Sequence, residues 1–129
     1  MAATRRSHTG TGTMVFGMEL ILDLDDCDPR TLADREALAR YAVELVDLIE
    51  MKAYGEPILE HFGHDDPITA GWTLVQLIET SSITGHFSDH LRRAHINIFS
   101  CRTFDPEKAS TFTERYFAAG RVTSTVLIR

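Results

Sequence analysis

At 129 residues and 14.5 kDa, with 43% hydrophobic residues, the chain suits one domain with a single ordinary core. Its net charge of −6 and pI near 5.4 argue against a nucleic acid or an anionic membrane as the main partner, and leave a small or cationic ligand as the expectation. No apolar run approaches the ~20 residues that cross a bilayer.

The opening stretch MAATRRSHTGTGT is polar and lacks the apolar centre of a secretory signal. It reads as a disordered lead-in over residues 1–13, ahead of one domain over 14–129, with a cytoplasmic location expected. Cys27 and Cys101 are then expected to stay reduced.

Val15 to Leu24 (VFGMELILDL) interleaves large apolar residues with Glu19 and Asp23, which suits a strand, and Asp25 to Pro29 breaks it. From Thr31 to Ile49 the apolar residues Leu32, Leu38, Tyr41, Ala42, Leu45, Val46 and Ile49 recur at three- and four-residue steps, predicting an amphipathic helix. Tyr54 to Phe62 is a second predicted strand, HFGHDDPITAG a loop, and Trp72 to Ile78 a third strand. Glu79 to Arg93 is a polar interruption with at most a short strand around Ile83. His95 to Ser100 alternates as a strand does. Asp105 as N-cap, Pro106 and Glu107 then open a second helix that runs to about Ala119, and Val122 to Ile128 closes as a strand. This order predicts an α+β two-layer sandwich: a mostly antiparallel sheet with both helices on one face. The other face needs cover, most simply from a second copy.

The stretch ETSSITGHFSDH sets five hydroxyls and two histidines directly after an apolar strand, far more polar residues than a plain turn needs. Taken singly, Ser81 and Ser82 are ordinary loop hydroxyls, His86 a surface histidine and Cys101 a small buried residue. Together, SSITGH (Ser81 to His86) and FSCR (Phe99 to Arg102) resemble the bacterial and archaeal S-adenosylmethionine decarboxylase proenzymes. Those carry a Ser-His-Ile-Ser-Ile-His segment after a glutamate and a strand ending Phe-Thr-Cys-Gly. Ser81 to His86 is five residues and His86 to Cys101 fifteen, and both match the family's separations. Thr73, eight residues before Ser81, falls where the family has a second processing hydroxyl. FGMELILDLDDCDPRTL looks like the family's opening strand and turn, so most of the chain from Phe16 onward is covered.

The resemblance implies self-cleavage between Thr80 and Ser81, giving chains 1–80 and 81–129, the second headed by a covalent pyruvoyl group made from Ser81. His86 is implied as the proton shuttle of processing, Thr73 as a helper at the carbonyl, and Cys101 as proton donor in catalysis. The activity implied is pyruvoyl-dependent decarboxylation through a Schiff base to an amino-acid-type substrate in polyamine (spermidine) biosynthesis, by a dimer of cleaved protomers. Ser82 competes as nucleophile, but a shift by one breaks both spacings.

The chain also departs from the pattern. Thr80 replaces the glutamate before the serine, Glu79 standing one place earlier, and Ser82 replaces the histidine after it. The family's Thr-Trp-Pro-Glu stretch, which helps hold the adenosyl group, reads Phe87, Ser88, Asp89, His90 here, and the loop before Thr73 is longer. Phe62 or Phe87 is a candidate replacement for the stacking tryptophan. The substrate stays open between S-adenosylmethionine and a basic amino acid such as arginine or ornithine, whose distal cation Asp89 or Glu19 would bind. An unprocessed, inactive homologue acting as a binding or regulatory partner is the alternative. His61, His64, Asp65 and Asp66, and His86, His90 and His95, lack a recognised ligand spacing, so no metal is expected. Cys27, in an acidic turn, reads as structural.

Overall fold

In the first strand, β1 (Met18–Asp25), every second residue is buried: Met18, Leu20, Leu22 and Leu24 point one way while Glu19, Ile21, Asp23 and Asp25 point the other. The structure, a computed structural model, describes residues 14–129; the lead-in expected over 1–13 lies outside the described residues. After β1 the order is α1 (Pro29–Ala33), α2 (Arg35–Leu48), β2 (Ile58–Phe62), β3 (Gly71–Ile78), β4 (Ser81–Ser88), β5 (Arg93–Ser100), α3 (Pro106–Tyr116) and β6 (Arg121–Ile128). Among the described residues the strands form one six-stranded sheet in the order β2-β3-β4-β5-β1-β6, every pair antiparallel. The expected two-layer α+β sandwich is what forms.

Register stacks the apolar positions into rows, so that Leu20 faces Ile98, which faces Ile83, and Leu22 faces Ile96. Onto this face α2 lays Leu38, Tyr41, Ala42, Leu45 and Val46, and α3 lays Ala109 and Thr113. Tyr41 is fully buried, hydrogen-bonded to Thr113 Oγ1 at 2.8 Å, with the Phe112, Tyr116 and Phe117 rings around it. Each fully buried side chain of this size contributes about 1.5–3 kcal/mol by leaving water. No helix among the described residues is long and apolar enough to cross a membrane.

Three expectations change. The first predicted helix is two, because Asp34 adopts extended backbone (φ −98°, ψ 108°) and serves as C-cap of α1 and N-cap of α2. The second strand begins at Ile58, after Pro57, not at Tyr54; the segment before it makes only an isolated bridge, Ala53 to Ile78. The largest change is β4, eight residues of full strand where a polar interruption was expected. Ile83 and Phe87 point into the core, and Gly85 between them leaves room for the Phe87 ring, to which an added Cβ would come within 2.9 Å. Ser82, Thr84 and His86 point to the face without helices, and their polarity masked the alternation.

Candidate functional site

Chemistry-bearing side chains gather in two places. The first is the middle of the uncovered face, where cross-strand register lines up Thr73, His86, His95 and Asp23 on β3, β4, β5 and β1. Thr73 Oγ1 lies 2.9 Å from His86 Nδ1, and His86 Nε2 lies 3.1 Å from the Thr69 carbonyl oxygen. A carbonyl only accepts, so Nε2 carries a proton, whereas the Thr73 hydroxyl can either donate to Nδ1 or accept from it. His95 donates through Nδ1 to Asp23 Oδ1 at 2.6 Å. Phe62 is half-exposed beside this row, its ring 6.1 Å from that of His86.

The second place is a corner of the sheet. Ser81 opens β4, directly across from Ser100 at the end of β5, and Cys101 follows, exposed. The Cys101 backbone N–H donates to the Thr80 carbonyl oxygen at 3.1 Å. This carbonyl belongs to the peptide bond between Thr80 and Ser81. Gly17 allows the corner its shape, since a Cβ there would stand 2.3 Å from the Ser100 carbonyl oxygen and 2.7 Å from Cys101 Cα.

The sequence-predicted residues therefore divide into two groups. Thr73 joins His86, and Ser81 joins Thr80 and Cys101, but five residues of extended strand, about 16 Å at ~3.3 Å each, separate Ser81 from His86 in one protomer. The odd spacing also turns their side chains to opposite faces. Glu79 points away from Ser81 and pairs with Lys52 at 3.4 Å.

The candidate substrate residues fare differently from one another. Phe87 is fully buried against Phe117, 5.4 Å between ring centroids, so it has no face to offer a purine. Glu19 has both oxygens engaged, one by Asn97 at 2.9 Å and one by Arg129 at 3.1 Å, and Asp89 accepts from His61 Nε2 at 2.7 Å. Glu19 is therefore not a free anion for a cationic substrate, whereas Asp89 Oδ1 is buried without a hydrogen-bond partner. His61 Nδ1 in turn meets His64 Nε2 at 3.2 Å. Among the described residues no group of three or more His, Cys, Asp or Glu is arranged to hold a metal ion. Burial, then the Asp25 and Asp26 charges, push the Cys27 thiol up to about 11, which keeps it protonated and unreactive at neutral pH.

The family pattern described as S-adenosylmethionine decarboxylase matches residues 18–129. The chain belongs to the S-adenosylmethionine decarboxylase family. Its fold is similar to the crystal structure of the adenosylmethionine decarboxylase from Aquifex aeolicus VF5, with a TM-score of 0.75, 18% identity, and 91% of this chain and 92% of that one covered. At that identity the likeness bears on the fold. No curated protein matches the chain.

Within this decarboxylase family fold, two polar residues take positions that the sequence reading did not give them: His95 was weighed only as a metal ligand and Ser100 only as a strand end. His95 alternates with Asn97 and Phe99 along β5, which was signal enough to set it on the uncovered face beside His86. Ser100 occupies an inward position of the same alternation and is fully buried. A hydroxyl at a core position, next to Cys101, marks a side chain that needs partners.

Proposed function

We propose that the chain is a self-processing, pyruvoyl-dependent decarboxylase whose cleavage centre is completed by a second copy. The observation that carries this reading is the Cys101 N–H donating to the Thr80 carbonyl at 3.1 Å, one bond from Ser81. In the first step Ser81 Oγ adds to the Thr80 carbonyl carbon, its proton leaving to a base. Negative charge develops on the Thr80 oxygen, where the Cys101 N–H already stands as donor. The C–N bond then breaks, the nitrogen takes up a proton, and an ester joins Thr80 to the Ser81 side chain. Loss of the Ser81 α-proton expels the Thr80 carboxylate from Cβ, leaving chain 1–80 and a dehydroalanine. Water adds, ammonia departs, and position 81 ends as a pyruvoyl group. No oxidant or reductant is consumed.

The base is His86, whose Nδ1 lies 2.9 Å from the Thr73 hydroxyl, through which the Ser81 proton would reach it. Because about 16 Å of strand separates it from Ser81 in its own protomer, the Thr73–His86 pair of one copy serves Ser81 of the other. The uncovered face, where His86 lies, is the surface a dimer would bury, and Ser81, turned to the other face, would be reached only at the sheet corner where β4 begins.

The corner suits a pyruvoyl group: it stands at the tip of β4, across from the end of β5 and beside the exposed Cys101. That group would supply an electron-withdrawing carbonyl that takes up the electron pair left when carbon dioxide departs. Cys101 then returns a proton to the α-carbon. Of the two substrate classes, the side chains favour S-adenosylmethionine: Phe62 offers an open aromatic face, whereas Glu19, a candidate anchor for a second amino group, has both oxygens engaged.

Intact-mass spectrometry of the purified protein tests the reading. Two chains, 1–80 and 81–129 with a blocked N-terminus, are expected from the natural sequence and a single chain from Ser81→Ala. Co-expressing Ser81→Ala with His86→Ala should restore cleavage of the His86→Ala chain alone. A natural chain that stays whole would instead support an unprocessed homologue kept for binding.

A further inference from the structure

Ser100 is the most enclosed polar group at the corner, and each of its bonds leads toward the cleavage point. Its hydroxyl, fully buried, donates to Thr80 Oγ1 at 2.7 Å and accepts from the Arg102 N–H at 3.0 Å. Thr80 Oγ1 in turn donates a hydrogen bond to Met51 Sδ at 3.4 Å, and Ser100 Oγ lies 3.8 Å from the same sulfur. One hydroxyl thus ties the Thr80 side chain to the backbone of the segment after β5. The neighbouring Cys101 N–H on that segment is the donor to the Thr80 carbonyl.

We propose that Ser100 is a positioning residue for self-cleavage, its buried hydroxyl holding Thr80 so that the scissile carbonyl stays on the Cys101 N–H. The inference rests on the proposed self-cleavage and adds to it a part for Thr80. Where the family pattern has an acidic side chain before the serine, this chain has a hydroxyl turned inward onto Ser100. Carbonyl and side chain of residue 80 are then fixed from two sides, and the Ser81 hydroxyl meets a carbonyl that cannot rotate away. Neither Ser100 nor Met51 touches the reacting atoms, so the effect belongs to geometry and not to proton transfer.

The test compares Ser100→Ala, Ser100→Thr and Ser100→Val in the full chain, made by pulse-labelled cell-free synthesis, with the rate of fragment appearance as readout. Loss of one buried hydrogen bond should slow Ser100→Ala about tenfold. Thr and Val have nearly the same shape and differ in the hydroxyl, so Ser100→Thr should recover most of the rate while Ser100→Val stays slow. A purely packing role would make those two alike. Thr80→Val should slow cleavage by a similar factor, and combining it with Ser100→Ala should add little, since both remove one bridge. Melting temperatures measured in a Ser81→Ala background separate misfolding from slow chemistry. A natural chain that cleaves no faster than Ser100→Ala overturns this inference alone, as does equal behaviour of the Thr and Val variants. A natural chain that never cleaves overturns the proposed self-cleavage and this inference together.

Discussion

His86 and Phe87 are neighbours in β4, yet they belong to different regions of the molecule. Phe87 lies on the helix-covered face, among residues that are almost all apolar and fully buried. His86 lies on the uncovered face, where Asp23 with His95, Asp25 with Arg93 and Arg121, and Glu19 with Asn97 and Arg129 form a lattice of paired polar groups. One face holds the fold together by leaving water. The other keeps its charges matched and carries His86 and His95. The lesson is that a single strand can serve both ends, because alternation assigns each residue to one task only.

Substitution at these two neighbours should separate the tasks. His86→Ala removes the proposed base and is expected to slow the proposed self-cleavage by about 10²–10⁴-fold, the usual worth of a positioned proton acceptor, with little change in melting temperature. A variant that cleaves at the natural rate would remove His86 from the mechanism. Phe87→Ala should do the reverse. It opens a cavity against Phe117 and costs about 3–5 kcal/mol in denaturant unfolding, while the protein that remains folded cleaves nearly normally. If Phe87→Ala lost cleavage but not stability, the division between the faces would fail.

The same division explains how much was legible beforehand. Strands with one apolar face, such as MELILDLD in β1, carry their alternation openly, and the α2 periodicity is as plain. SSITGHFS does not, because Gly85 stands at an inward position and hydroxyls and a histidine fill the outward ones. A strand whose outer face is kept polar looks like a loop unless the inward pair Ile83 and Phe87 is noticed. For the proposed site, the spacings pointed to Ser81, His86, Thr73 and Cys101, but spacing along a chain says nothing about which face each residue takes. Phe87 and Glu19 were plausible ligands by residue type. Their packing in the core and their engaged oxygens are tertiary facts that no local pattern carries.

The smallest expected effect concerns the charge pairing itself. Asp25 ends β1 on the uncovered face, with Arg121 Nη2 2.9 Å from Oδ2 and Arg93 Nε 2.9 Å from Oδ1 as ion pairs. The Arg121 hydrogen bond, with the Arg93 charge added, holds the carboxyl below its ordinary 3.8. A carboxyl whose value is lower folded than unfolded stabilises the fold above the unfolded value, and that contribution fades as pH falls through the folded one. The melting-temperature gap between the natural chain and Asp25→Asn should therefore be widest at neutral pH and close as the pH drops below about 3.8. Asp28, similarly lowered by Arg30, cancels in the difference because both proteins carry it. The pairs are partly in water, so the gap should also narrow with added salt. A gap that persists unchanged at low pH and high salt would mean that Asp25 holds the strand ends by hydrogen bonding that its amide retains, and that charge matching contributes little to the uncovered face.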